Sequence, residues 1–180
     1  MKHIPIFESE ILQNLGLFIP RQNMSRILAM NELYKKIINI HGIICEFGVR
    51  WGQNMALFTI FKGIYEPYNY NRTIIGFDTF EGFVNCTDKD KFSTNGQYNV
   101  SNNYQDYLNN ILTYHRENNP IQHCSNNITI KGDASIKIYE YLEENPHTIF
   151  SFIYFDIYKP TIDCLNAIKP LYCKRCYYWF

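Results

Sequence analysis

The sequence has no excess of charge of either sign and no long apolar run. Seventeen Lys and Arg balance seventeen Asp and Glu over 180 residues, so no whole-molecule field draws the chain to nucleic acid or to an anionic membrane surface. The longest apolar stretches, such as Thr148 to Phe155, are strand-length and fall well short of the roughly 20 residues that cross a bilayer. Pro5 and Glu8 break the apolar start that a secretory signal needs, so the expected compartment is the cytoplasm. With no internal repeat, linker or second domain, a 46% hydrophobic, 19% charged composition reads as one soluble globular domain over residues 1–180.

Cysteines are scattered and, in that compartment, expected as thiols. Cys45 lies inside an apolar strand and reads as a small buried hydrophobe. Cys173-Lys174-Arg175-Cys176 has the spacing of a zinc knuckle or a redox pair. A zinc site needs a second ligand pair, and a redox site its own βαβ surroundings. An incidental pair in a frayed tail is the plainer reading.

What is present is an alternation of strand and helix. Helices within about residues 1–40 come first, with Ile27, Leu28, Leu33, Tyr34, Ile37 and Ile38 at helical spacing between Arg21 and Ile38. A strand over Gly42 to Phe47 stops at Gly48 and passes through Val49-Arg50-Trp51-Gly52 into a helix from Asn54 to Lys62. A second strand, Arg72 to Asp78, ends at an acid. The polar stretch from Asp88 to Asn103 predicts a long surface loop, and Tyr104 to Glu117 a helix with Tyr107, Leu108, Ile111 and Leu112 as its stripe. A third strand, Asn127 to Lys131, leads through Gly132-Asp133 into a helix from Ala134 to Leu142. The apolar run His147 to Asp156 reads as a central strand covered on both faces, with a helix after it from Thr161 to Ile168. This order predicts a parallel α/β sheet.

In such sheets ligands bind beyond the carboxyl ends of the strands, and all four predicted strands end at or beside an acid: Glu46, Asp78, Asp133 and Asp156. The glycines of Glu46-Phe47-Gly48-Val49-Arg50-Trp51-Gly52 let backbone approach a ligand, and the helix N-terminus adds N–H donors. The E-x-G-x-x-x-G spacing differs from the G-x-G-x-x-G of dinucleotide folds and favours a nucleotide-like ligand without a pyrophosphate; a tight turn with no ligand is the alternative. Asp78 can accept from a ribose diol or cap the turn after it. Asp133 can accept from an adenine amino group or N-cap the next helix. Asp156 can bind a divalent cation or a substrate hydroxyl, or be a solvated strand-end acid. His115 and His123 are candidate bases by residue type only.

These blocks resemble the macrocin O-methyltransferase family of class I S-adenosylmethionine-dependent enzymes. The likeness rests on Cys45 to Gly52, Gly76-Phe77-Asp78-Thr79-Phe80-Glu81-Gly82-Phe83, Lys131-Gly132-Asp133, and Tyr154-Phe155-Asp156-Ile157-Tyr158-Lys159-Pro160-Thr161, in that order. It implies a Rossmann-like three-layer sandwich with strand order 3-2-1-4-5-7-6. It also implies S-adenosylmethionine bound by Glu46, Gly48, Val49, Gly52, Asp78, Thr79 and Asp133, and methyl transfer to a small-molecule hydroxyl, often on a sugar. Mg2+ held with Asp156 is part of the same implication. The family pattern on the fourth strand is D-x-D-x-Y, and Tyr154 stands at its first acid.

After Ile168 the family continues with further strands. Here the text runs Leu171-Tyr172-Cys173-Lys174-Arg175-Cys176-Tyr177-Tyr178-Trp179-Phe180. The expectation is therefore an incomplete sheet: strands 1 to 4 present, the C-terminal strands missing, and the fourth strand left as an apolar edge open to another chain. One set of codons for this tail, read a base later, gives Cys-Ile-Ala-Lys-Gly-Val-Ile-Ile-Gly, and a frameshift is the expectation that follows. Three functions are compatible with the residues: an active O-methyltransferase, a non-catalytic remnant, and another Rossmann-type enzyme using a nicotinamide cofactor. Oligomeric state is left open.

Overall fold

The computed structural model describes residues 6–82, 99–123, 126–155, 158–169 and 177–179. Its strands are β1 (Ile43–Phe47), β2 (Ile74–Asp78), β3 (Asn127–Lys131), β4 (Phe150–Phe155) and β5 (Tyr177–Trp179). All pair in parallel, in the order β3-β2-β1-β4-β5. The helices are α1 (Arg21–Ile37), α2 (Gln53–Tyr65), α3 (Tyr104–Glu117), α4 (Ala134–Glu144) and α5 (Tyr158–Ile168). The stretch from Arg21 is thus a single helix.

Side-chain alternation along the strands divides the core in two. Ile44, Ile74 and Phe152 face α1, α2 and α3, packing on Tyr34, Ile37, Met55, Phe58, Leu108 and Leu112. Cys45, Phe47, Ile75, Phe77 and Ile153 face α4 and α5, packing on Ile138, Cys164 and Ile168. Burial on both faces explains why β1, β2 and β4 read as unbroken apolar runs. Phe47 stacks between Phe77 and Phe155, with ring centroids 5.1 and 5.0 Å away. Cys45 and Cys164 are buried and unbridged.

Below the sheet, at the end away from the strand tips, Arg72 is almost wholly buried and ties three elements together. Its guanidinium donates to both Glu66 carboxylate oxygens at 3.0 Å. It also donates to the carbonyls of Ile37, Ile40 and Gly42 and to Ser151 Oγ. The Tyr34 hydroxyl donates to Glu66 at 2.6 Å. Such a charge is tolerable inside a protein only because every partner is present.

The expectation of an open β4 edge is corrected here. Tyr177, Tyr178 and Trp179 pair with Phe152, Ile153 and Tyr154. Three aromatic residues suit a pleated surface, and they satisfy backbone groups that an exposed β4 would leave unpaired. Cys173 and Cys176 lie outside the described residues, as does most of the expected 88–103 loop. Among the described residues no helix is long and apolar enough to cross a membrane.

Candidate functional site

The first crossover forms a corner at the tips of β1 and β2. Gly48 leaves β1 with φ 93°, and its N–H donates to Phe77 O at 2.9 Å, extending the ladder by one residue. Arg50 and Gly52 also take positive φ, 50° and 75°. That folds the chain back so that the Gly52 N–H donates to Val49 O at 2.8 Å and α2 begins. A Cβ on Gly52 would run into Leu108 of α3. Trp51 lies edge-on to Tyr104, with centroids 4.8 Å apart, and the Tyr104 hydroxyl donates to the Trp51 carbonyl.

Asp78 belongs to this corner. One carboxylate oxygen accepts from the Arg50 N–H at 2.7 Å and the other from the Phe80 N–H at 2.6 Å. The second bond is the turn-capping role read from sequence; the first was not foreseen. A carboxylate has about four acceptor sites, so two remain in number for a diol. Thr79 shapes the same turn, its hydroxyl donating to Gly82 O and accepting from the Glu81 N–H.

Glu46 is buried, 1% exposed, and its Oε1 accepts from Asn54 Nδ2 at 2.8 Å. Arg26 donates in turn to Asn54 Oδ1 at 3.1 Å, so α1, α2 and β1 are linked through one amide. In register, Thr129, Gly76, Glu46, Tyr154 and Trp179 form one row across the sheet. Glu46 and Asp78 alternate in phase with Ile44 and Ile74, which places both on the α1–α3 face. Gly76 is small because Val49 and Met55 fill the space above it. Val49 is therefore a core side chain that could meet a ligand only through its backbone.

Asp133 sits at the neighbouring tip, where the Gly132 N–H donates to Asp78 O at 2.9 Å. Its Oδ1 accepts from the Ser135 N–H and hydroxyl at 2.9 and 2.7 Å, the N-cap of α4. Of the two roles open to it in the sequence, this is the one its described contacts display. Asp156 lies outside the described residues.

Sequence reasoning missed Asn54 and Tyr104. The available signal was a polar Asn54 on the buried stripe of α2. Of the candidate bases, His115 stands in the last turn of α3, about 16 Å along the helix from Tyr104 at 1.5 Å per residue, and His123 follows that helix. Among the described residues no donor set for a Mg2+ ion is assembled, and Asp156, the acid expected to hold one, is not among them. Mg2+ needs near-octahedral oxygen ligands, Tyr154 replaces the expected first acid, and among the described residues no three His, Cys, Asp or Glu side chains gather.

No family model and no curated protein matches the chain. Solved structures do, among them two of CalS11. The crystal structure of CalS11, calicheamicin methyltransferase, is 37% identical with a TM-score of 0.90, over 94% of this chain and 68% of that one. The apo structure of CalS11, described as a TDP-rhamnose 3'-O-methyltransferase, is 35% identical with a TM-score of 0.81, over 94% of this chain and 67% of that one. The chain belongs to the O-methyltransferase family of CalS11. Its fold is the Rossmann-like class I methyltransferase sandwich, and the corner at Gly48 to Gly52 occupies the strand-tip position at which such sheets bind ligands.

Proposed function

We propose that this CalS11 relative is an S-adenosylmethionine-dependent O-methyltransferase whose acceptor is a sugar hydroxyl. The observation that carries the reading is the Arg50–Asp78 bond, which fixes a carboxylate beside the glycine corner where a nucleoside would lie. The sugar O-methyltransferase description of CalS11 favours the acceptor class, and the likeness of the sequence blocks to the macrocin O-methyltransferases points the same way.

In this reading the backbone at Gly48, Val49 and Gly52 lies against the cofactor and Asp78 accepts from its ribose diol. Thr79 holds the turn after Asp78, Asp133 accepts from the adenine amino group, and Glu46, held by Asn54, supplies charge beneath the corner. When bound, S-adenosylmethionine supplies a methyl group on a sulfonium, open to in-line displacement by a hydroxyl oxygen. The work of the chain is to bring that oxygen close and aligned, the largest contribution a positioning site makes. No step is routed through a metal.

Incubation with S-adenosylmethionine and TDP-rhamnose, followed by mass spectrometry, tests this. A methylated sugar with equimolar S-adenosylhomocysteine is the expected product. Folded protein that binds S-adenosylmethionine yet forms no more S-adenosylhomocysteine with the sugar than without it would remove the sugar from the proposal.

A further inference from the structure

On the far side of β2 from the β1 corner, α3 and the outer edge of β3 enclose a second hollow, of about 250 Å³. Small-molecule clefts begin at roughly 300 Å³, so it suits a ligand of few atoms. It lies toward the start of β3, with Asn127 about 13 Å from Lys131 at 3.3 Å per residue. It is therefore distinct from the strand-tip crevice.

Its lining mixes the apolar Leu112 and Ile128 with the polar side chains of Asn109, Thr113, Arg116, Asn127 and Thr129. Asn109, Thr113 and Arg116 are spaced i, i+4, i+7 and share one face of α3. The Nε of Arg116 is buried and meets no acceptor. Among the described residues no carboxylate pairs with this guanidinium. The C-terminal dipole of α3 offsets part of the charge but gives Nε no partner.

The orientation of Asn109 follows from its neighbours. The Thr129 carbonyl can only accept, so the Gln105 atom 3.0 Å from it is the amide nitrogen, which also reaches the Thr129 hydroxyl. That hydroxyl then gives its single proton to Asn109 Oδ1 at 2.8 Å. The Asn109 NH2 group is left as a donor. A smaller hollow behind Arg116 is lined by Lys62 and by Glu66, and Glu66 is already committed to Arg72. Glu66 is the one carboxylate among the residues lining the two hollows.

We propose that the cleft between α3 and β3 binds the oxyanion group of a small molecule, a phosphate or a carboxylate, through Arg116 and Asn109. A buried Nε–H without a partner is completed by an acceptor-rich anion, which arginine engages with two parallel bonds.

The test is a titration of the isotope-labelled full chain with inorganic phosphate and, separately, with acetate, at constant ionic strength. The resonances followed are the Arg116 Nε–H, the Asn109 side-chain amide and the Thr129 backbone amide. Saturable shifts are expected in all three, and Arg116→Gln should weaken the response of the latter two at least tenfold. Arg116→Lys, which keeps the charge without the fork, should fall between. Saturation with phosphate identifies a phosphate group, and saturation with acetate alone a carboxylate; both support the site. Shifts that stay linear with both anions, or saturate equally in a folded Arg116→Gln protein, overturn it. Asn109→Ala, on an exposed helix position, gives a second variant with little risk to folding.

Discussion

The backbone N–H of Arg50 donates to the carboxylate of Asp78 at 2.7 Å. The bond joins the first crossover to the tip of the next strand, 28 residues further on. It holds Arg50 in a left-handed conformation that a side chain other than glycine seldom takes. The glycine corner and the acid are thus one unit, and a change to either should be felt by both.

Gly52→Ala tests the corner. The added methyl meets Leu108 and the residue must hold φ 75°, so a loss of about 1–3 kcal/mol is expected from the backbone conformation alone. Urea denaturation measures it. A change within about 0.5 kcal/mol, ordinary for a surface position, would show that the corner is not rigid.

Asp133 has a capping role that is visible and a cofactor role that is proposed, and one substitution separates them. Ser caps helices about as well as Asp, but its shorter side chain does not reach a ligand. Asp133→Ser should leave the melting temperature nearly unchanged while weakening S-adenosylmethionine by about tenfold, roughly one hydrogen bond to a charged group. Equal affinity in calorimetry would leave Asp133 with the cap alone.

The buried Arg72–Glu66 pair should dominate single-site stability. Arg72→Met strands the Glu66 carboxylate, at a cost of about 3–5 kcal/mol. Burial by itself raises the Glu66 pKa, but the bonds from Arg72, Tyr34 and Asn69 outweigh it and hold the carboxyl below its usual value of 4.5. A carboxylate whose pKa falls on folding stabilises the fold above the unfolded value and loses that contribution as pH drops toward the folded one. Stability should therefore decline as pH falls below about 4.5, and Glu66→Gln should flatten that part of the profile. A Glu66→Gln curve parallel to the wild type would contradict the assignment.

Asn54→Ala removes the amide between Arg26 and Glu46. The loss of a buried bond to a charged group is expected to cost about 1.5–3 kcal/mol, seen as a lower urea midpoint. An unchanged midpoint would mean that Glu46 does not depend on Asn54.

Much of this arrangement could be read from the residues alone. The stripe of Leu108 and Leu112 and the alternation in Asn127 to Lys131 gave α3 and β3 their observed bounds, because in both a periodic pattern ends at a chain reversal. The sequence pattern starts β4 at His147, three residues before the structure does, because Thr148 and Ile149 are β-branched and suit a strand, yet the Thr148 N–H turns back to Asn145 O. Glu46 and Asp78 stand at the ends of β1 and β2 as expected, because strand tips advertise their acids. Arg72 and Glu66 carry no such mark, since a polar residue just outside a helix or strand breaks no periodic pattern. Tyr177 to Trp179 escaped because a three-residue strand is defined only by the neighbour it pairs with.

Calorimetric titration of the full chain with S-adenosylmethionine, and separately with NAD, tests the central claim most directly. The account predicts one S-adenosylmethionine bound per chain, no NAD, and at least about tenfold weaker binding in Asp78→Asn, which keeps one acceptor oxygen and loses the charge. Binding of NAD alone, or S-adenosylmethionine affinity indifferent to Asp78→Asn, would contradict it.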